Sequence, residues 1–126
     1  MTTVNVRYMV ADVQASVDWY VGHFDFVVQL NAAPAFASVE RDGLRLLLSG
    51  RTSSAGRPMP DGRQPEPGGW NRFQLLFDDL AAEVERLRRR GVTFRNAILS
   101  GPGGSQILAE DPSGNVVELF QPAARG

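Results

Sequence analysis

The chemistry open to this chain has to be done with carboxylates, guanidiniums and amides. All thirteen basic residues are arginine, there is no cysteine, and His23 is the one histidine. Lysine Schiff bases, thiolate nucleophiles, disulfides and zinc–cysteine clusters are thereby excluded. A lone histidine cannot supply a two-histidine metal site within one chain, and His23, near the end of a predicted helix, reads as a surface or loop-anchoring residue. Ser53 and Ser54 have no histidine nearby in sequence to form a triad. The run Gly101-Pro102-Gly103-Gly104-Ser105 lacks the lysine and the following helix of a phosphate loop, and reads as a long hairpin turn.

The polar groups that remain gather when four apolar segments are split by the two-residue alternation of a strand. One side carries Val6, Tyr8, Val10, Leu44, Leu46, Leu48, Phe73, Leu75, Phe77, Val117 and Leu119. It is apolar throughout, and helices must pack on it. The other side mixes Asn5, Arg7, Arg45, Arg72, Gln74 and Glu118 with Met9, Leu47, Leu76 and Phe120. A concavity that binds an organic ligand has this composition, apolar bulk with a few placed polar groups. An exposed sheet face or a dimer interface with a salt bridge would also carry it. Across that side Arg72 and Glu118 are expected to pair. Arg72 could then bind a ligand oxygen and Glu118 act as hydrogen-bond acceptor or base, or the two could form a structural ion pair.

The elements that position these residues come from a repeat. Arg7 to Val17 reappears in outline 67 positions later as Gln74 to Val84, each copy an apolar run ending at an aspartate, Asp12 or Asp79. Apolar residues then follow at helical spacing, as Val13, Val17, Tyr20 and as Leu80, Val84, Leu87. The pattern is a strand leading into an amphipathic helix capped by Asp. The first copy predicts strand 4–11, helix 13–22, and strands near 25–31, 35–41 and 44–49, with a hairpin turn at Asp42-Gly43. The second predicts strand 71–78, helix 79–90, and strands near 92–98, 105–110 and 115–121. Gly91 ends the helix as a left-handed cap, and Asp111-Pro112-Ser113-Gly114 makes a turn.

Module 1 thus covers about 3–50 and module 2 about 71–122 of a single domain, 1–126. The linker loop 51–70 holds four of the eight prolines, and a loop of this length is either a lid or a flexible connection. Trp70 at its end is an aromatic wall for a ligand or an anchor for the loop. Arg86, Arg88, Arg89 and Arg90 suit the negative end of a helix dipole better than a nucleic-acid patch. The net charge of −1 gives no basic field for nucleic acid. No apolar run is long enough to span a bilayer and no signal segment stands at the N-terminus, so a cytoplasmic protein with no membrane partner is expected.

Together the repeat, Asp12 with Ala15-Ser16-Val17-Asp18-Trp19-Tyr20, the Gly22–Phe26 turn and the run Asp111-Pro112-Ser113-Gly114-Asn115-Val116-Val117-Glu118-Leu119-Phe120 resemble the vicinal oxygen chelate superfamily. That group includes glyoxalase I, bleomycin-resistance proteins, fosfomycin-resistance enzymes and extradiol dioxygenases. The resemblance implies an α+β fold, two βαβββ modules forming a cupped mixed sheet with helices on its outer face. It also implies metal ligands on the first and last strand of each module, which fall here at Asn5, Leu47, Arg72 and Glu118. Only Glu118 keeps a metal-binding side chain, so the expectation is no metal and no other cofactor. The function implied is binding of a small, largely apolar or aromatic molecule, as in the sequestering resistance members, by a homodimer. Met9, Leu47, Leu76, Phe120, Trp70 and Phe36 would supply apolar contact, and Asn5, Arg7, Arg45, Arg72, Gln74 and Glu118 would orient the ligand. The alternative is a metal-free lyase, isomerase or oxygenase, with Glu118 as base and Arg72 stabilising an oxyanion.

Overall fold

Two aspartates start the two helices. In the computed structural model, which describes residues 4–124, Asp12 accepts from the Ala15 backbone N–H at 3.0 Å and Asp79 from that of Ala82 at 3.1 Å. Each satisfies a donor that the first helical turn leaves open. Residues 1–3 and 125–126, which the single-domain expectation spans, lie outside the described residues. The chain divides into two compact units. One takes the described residues up to Gly68 together with Pro112–Asn115; the other takes Gly69–Asp111 and the described residues from Val116 on.

The first unit runs β1 (Val4–Met9), α1 (Val13–Phe24), β2 (Val27–Ala32), β3 (Phe36–Arg41) and β4 (Leu44–Ser49). Its sheet has the order β1-β4-β3-β2, with β1 parallel to β4 and the other pairs antiparallel. Asp42 and Gly43 both take positive φ, 50° and 82°, the backbone of the two-residue hairpin predicted there. Helix α1 runs two residues past its predicted end, because Asp25 rather than Gly22 adopts the left-handed conformation, at φ 57°. Val13, Val17, Tyr20 and Phe24 pack with Tyr8, Val10, Ala37, Val39, Leu46 and Leu48 into the buried core.

Beyond β4 the linker makes a single 3₁₀ turn, Ser54–Gly56, and holds itself in place. Ser53 Oγ donates to the Gly50 carbonyl at 2.7 Å and Gln64 Nε2 to that of Gly56 at 2.8 Å. The buried side chain of Asn115 accepts from the Gly68 N–H and donates to the Met9 carbonyl, both at 2.8 Å.

The second unit runs β5 (Phe73–Leu76), α2 (Leu80–Arg89), β6 (Thr93–Phe94), β7 (Leu99–Gly101), β8 (Gly104–Glu110) and β9 (Val116–Pro122). Its five-stranded sheet has the order β5-β9-β8-β6, with β7 also on β8 and β5 parallel to β9. At the end of α2, Val92 N–H bonds the Leu87 carbonyl and Gly91 N–H that of Arg88, both at 3.0 Å. These two bonds, with Gly91 at φ 84°, are the glycine-capped helix ending that the sequence predicts. On the exposed side of α2, the hydrogen bond and the charge of Arg89 hold the Glu85 carboxyl below its ordinary range.

Two expectations are corrected here. The strand expected near 92–98 stops after Phe94, because the Asn96 side chain accepts the Leu108 N–H at 3.0 Å in place of a backbone partner. The stretch 101–105 is not a long turn: Gly101 pairs with Gly104, leaving Pro102-Gly103 as a two-residue connection. Both units are α+β with mixed sheets, and among the described residues no helix is long and apolar enough to cross a membrane.

A helix covers one face of each sheet, and the alternation in β9 and β5 decides which residues it buries. Leu119 is fully buried whereas Leu76 is 59% exposed. Leu119→Ala should therefore cost about 2–5 kcal/mol and Leu76→Ala less than about 0.5 kcal/mol in urea unfolding; equal costs would refute the assignment of faces. Asp12→Ala and Asp79→Ala should each cost about 1 kcal/mol, read by the same measurement.

Candidate functional site

In the first unit the uncovered face is set by strand register. On β1 and β4 the pairs Asn5/Arg45, Arg7/Leu47 and Met9/Ser49 stand side by side. On β3, Phe36, Ser38 and Glu40 continue the same face opposite Ser49, Leu47 and Arg45. All six residues expected here from the first module (Asn5, Arg7, Met9, Phe36, Arg45 and Leu47) lie on this one face. Arg7 Nη1 donates to Ser49 Oγ at 2.7 Å. The Nε of Arg45 is buried with no acceptor. A cavity of about 480 Å³ is lined by Arg7, Ala35, Phe36, Thr52, Ser53 and Ser54. The three hydroxyl residues were missed as lining groups. Their proximity to Arg7 comes from the path of the linker, which no local pattern encodes.

In the second unit Gln74 stands beside Glu118 and Leu76 beside Phe120 on the parallel strands β5 and β9. The expected ion pair is present, Arg72 Nε to Glu118 Oε1 at 2.9 Å. Gln74 Nε2 donates to the other carboxylate oxygen, Oε2, at 2.6 Å. The Glu118 side chain is only 9% exposed and that of Arg72 28%, so the carboxylate is bracketed in a largely dry setting. Charge-assisted bonds of this kind are the strong ones. Arg72 Nη1 also donates to the Trp70 carbonyl at 3.2 Å.

Trp70 itself is 67% exposed, with the Arg95 guanidinium 4.5 Å from its ring centroid. Arg95 in turn donates to the Gly69 carbonyl at 2.9 Å and lies 3.5 Å from Glu110. The indole is thus held by a cation–π contact rather than by burial. A smaller hollow of about 230 Å³ lies against Phe120, between Leu99, Gly103 and Gln106. His23 sits on α1 with its ring 5.6 Å from that of Trp19, packed on a helix rather than placed on the uncovered face.

The same register tests the correspondence between the copies. Arg7 beside Leu47 in the first sheet matches Gln74 beside Glu118 in the second, and Met9 beside Ser49 matches Leu76 beside Phe120. The positions at which the resemblance places metal ligands therefore hold an amide, a leucine, a guanidinium and one carboxylate whose two oxygens are already engaged. That donor set does not fit a divalent metal. Among the described residues no three His, Asp or Glu side chains converge as a metal-holding group.

Comparison with known proteins agrees with this architecture. TnmS3, an antibiotic binding protein from Streptomyces sp. CB03234, is 26% identical, with 98% of this chain and 97% of that chain covered at a TM-score of 0.72. A glyoxalase/bleomycin resistance protein/dioxygenase superfamily member from Sphaerobacter thermophilus DSM 20745 is 26% identical, covering 96% and 97% at 0.74. Lactoylglutathione lyase from Agrobacterium tumefaciens, 20% identical with 95% and 92% covered at 0.75, shares the fold. No curated protein matches the chain. The family model for the Glyoxalase/Bleomycin resistance protein/Dioxygenase superfamily matches residues 3–119, nearly the full length over which both copies of the repeat extend, and the chain belongs to that superfamily.

Proposed function

We propose that this protein binds a small, largely apolar or aromatic molecule on the uncovered faces of its sheets, without a metal, in the manner of an antibiotic-sequestering protein. One observation carries the reading: Glu118, the sole carboxylate at the superfamily's ligand positions, has Arg72 on one oxygen and Gln74 on the other. Each oxygen keeps a second lone pair, but a cation arriving there is opposed by the Arg72 guanidinium and a proton has to displace the charge-assisted pairing. The uncovered faces keep apolar side chains within reach of solvent, Leu47, Met9 and Phe36 in one unit and Leu76 and Phe120 in the other. Such surface is costly unless something covers it. The likeness to TnmS3, described as antibiotic binding, supports the same class of ligand. A homodimer belongs to this reading as well, with exposed Val27, Val28 and Leu30 on the edge strand β2 as apolar surface for a second copy.

The neutral aromatic probe N-phenyl-1-naphthylamine tests the proposal on protein dialysed against EDTA. Saturable binding should survive metal removal, Glu118→Gln should change the dissociation constant by less than about threefold, and Phe120→Ala should weaken binding about tenfold. Binding that vanished with EDTA and returned with nickel, manganese or zinc would end the proposal. Turnover of a candidate substrate lost in Glu118→Gln, with binding intact, would favour a metal-free enzyme instead.

The pair itself predicts a coupling. Glu118→Leu alone should destabilise the fold by about 1–3 kcal/mol, a range reduced for the part-exposed Arg72. The double variant Arg72→Leu/Glu118→Leu should recover most of that loss in urea unfolding, since it leaves no stranded charge. Additive losses would show that the two side chains do not act as a pair.

A further inference from the structure

The two uncovered faces treat their arginines differently. In the second unit Arg72 pairs with Glu118 and Arg95 approaches Glu110. In the first unit neither Arg7 nor Arg45 lies within ion-pair distance of a carboxylate among the described residues. Arg7 Nη1 has the neutral Ser49 hydroxyl as its partner, and the buried Arg45 Nε has no acceptor. Glu40 stands next to Arg45 in strand register, yet its carboxylate takes the amide of Gln29 instead. Two cations therefore stand diagonally on adjacent strands of one face, uncompensated. The buried Nε–H of half-buried Arg45 is unfavourable without an acceptor, and the exposed Arg7 adds a second positive charge on the same face.

The space beside Arg7 suits an acidic aromatic guest, with Arg45 diagonal to Arg7 on the same face but outside the cavity lining. The cavity of about 480 Å³ has Arg7 on its wall, the Phe36 ring as an apolar surface, and Thr52, Ser53 and Ser54 along the linker side. That volume lies in the range of small-molecule sites. Arg72 is not equivalent, because an anion approaching it must compete with Glu118.

Resting on the reading that this protein binds an apolar or aromatic molecule, we propose that its ligand carries an acidic group, a carboxylate, sulfonate or phenolate, seated by Arg7 and Arg45 on the first unit and not by Arg72. The acid accepts from the two guanidiniums while the ring body lies against Phe36. This gives the bound ligand a fixed polarity, with its charged end on the first module's sheet.

Two probes with one ring skeleton test this, 8-anilinonaphthalene-1-sulfonate and the neutral N-phenyl-1-naphthylamine, titrated by fluorescence and calorimetry against the full chain. The sulfonate should bind about tenfold tighter at low salt, and only its affinity should fall as salt is raised. Arg7→Met and Arg45→Met should each bring the sulfonate close to the neutral probe's affinity, leaving the neutral probe within about twofold. Arg90→Met, at the end of α2 and on neither sheet face, should change neither. Equal, salt-independent binding of the two probes by the wild-type chain overturns the anion seat and leaves aromatic binding standing. Loss of the sulfonate preference in Arg72→Met, but not in the Arg7 and Arg45 variants, overturns the placement. Binding of neither probe overturns this proposal and the aromatic-binding reading together. The wild-type salt dependence decides the matter even if a variant fails to fold.

Discussion

One helix can bury one face of a sheet. Each repeat supplies one helix to its own sheet, and the period-two alternation of strands sends every other residue to the side that the helix cannot reach. Everything distinctive about this protein follows from how that second side is handled. Tyr8, Leu46, Leu48, Leu119 and their neighbours are sealed against α1 and α2 and carry the stability of the fold. The residues between them in sequence are released from packing against a helix, although Ser49, Val116 and Glu118 among them are buried. They are free to hold arginines, amides and a glutamate that no core would accept.

Released from packing does not mean released from electrostatics. A glutamate that is nine-tenths buried needs partners, and Glu118 has a guanidinium on one oxygen and an amide on the other. The bracket occupies Arg72 and Gln74, and Arg95 is likewise tied to Glu110, Gly69 and Trp70. The first unit is the complement. Arg7 meets a hydroxyl beside the cavity of about 480 Å³ and the Nε of Arg45 meets no acceptor. A chain of nearly neutral overall charge thus has one face that is internally neutralised and one that is open to an anion.

Much of this was legible in the sequence because it is local or periodic. Asp12 and Asp79 signal their helices within four residues, Asp42-Gly43 signals its hairpin, and alternation alone separates Leu119 from Glu118. The repeat even predicts which residues face each other, since Arg7 with Leu47 and Gln74 with Glu118 stand at matched register. What stayed hidden depends on side chains that replace backbone partners at long range. Asn96 captures the Leu108 N–H and breaks a strand that reads as continuous. Asn115 joins the end of the linker to the end of β1 across more than a hundred residues of sequence. Gln74 reads as a ligand-orienting amide, and only geometry reveals it as the second clasp on Glu118. The linker hydroxyls beside Arg7 are invisible for the same reason: a loop rich in proline advertises its irregularity but not its route.

At the superfamily's ligand positions the one carboxylate, Glu118, is closed into an ion pair with Arg72, and we propose that an organic molecule rather than a metal is bound. Native mass spectrometry of the chain as purified, combined with elemental analysis, addresses it most directly. The purified chain should carry less than about a tenth of an equivalent of zinc, iron, nickel or manganese, with the same spectrum for Glu118→Gln. One tightly held divalent metal per chain, absent from Glu118→Gln, would contradict it.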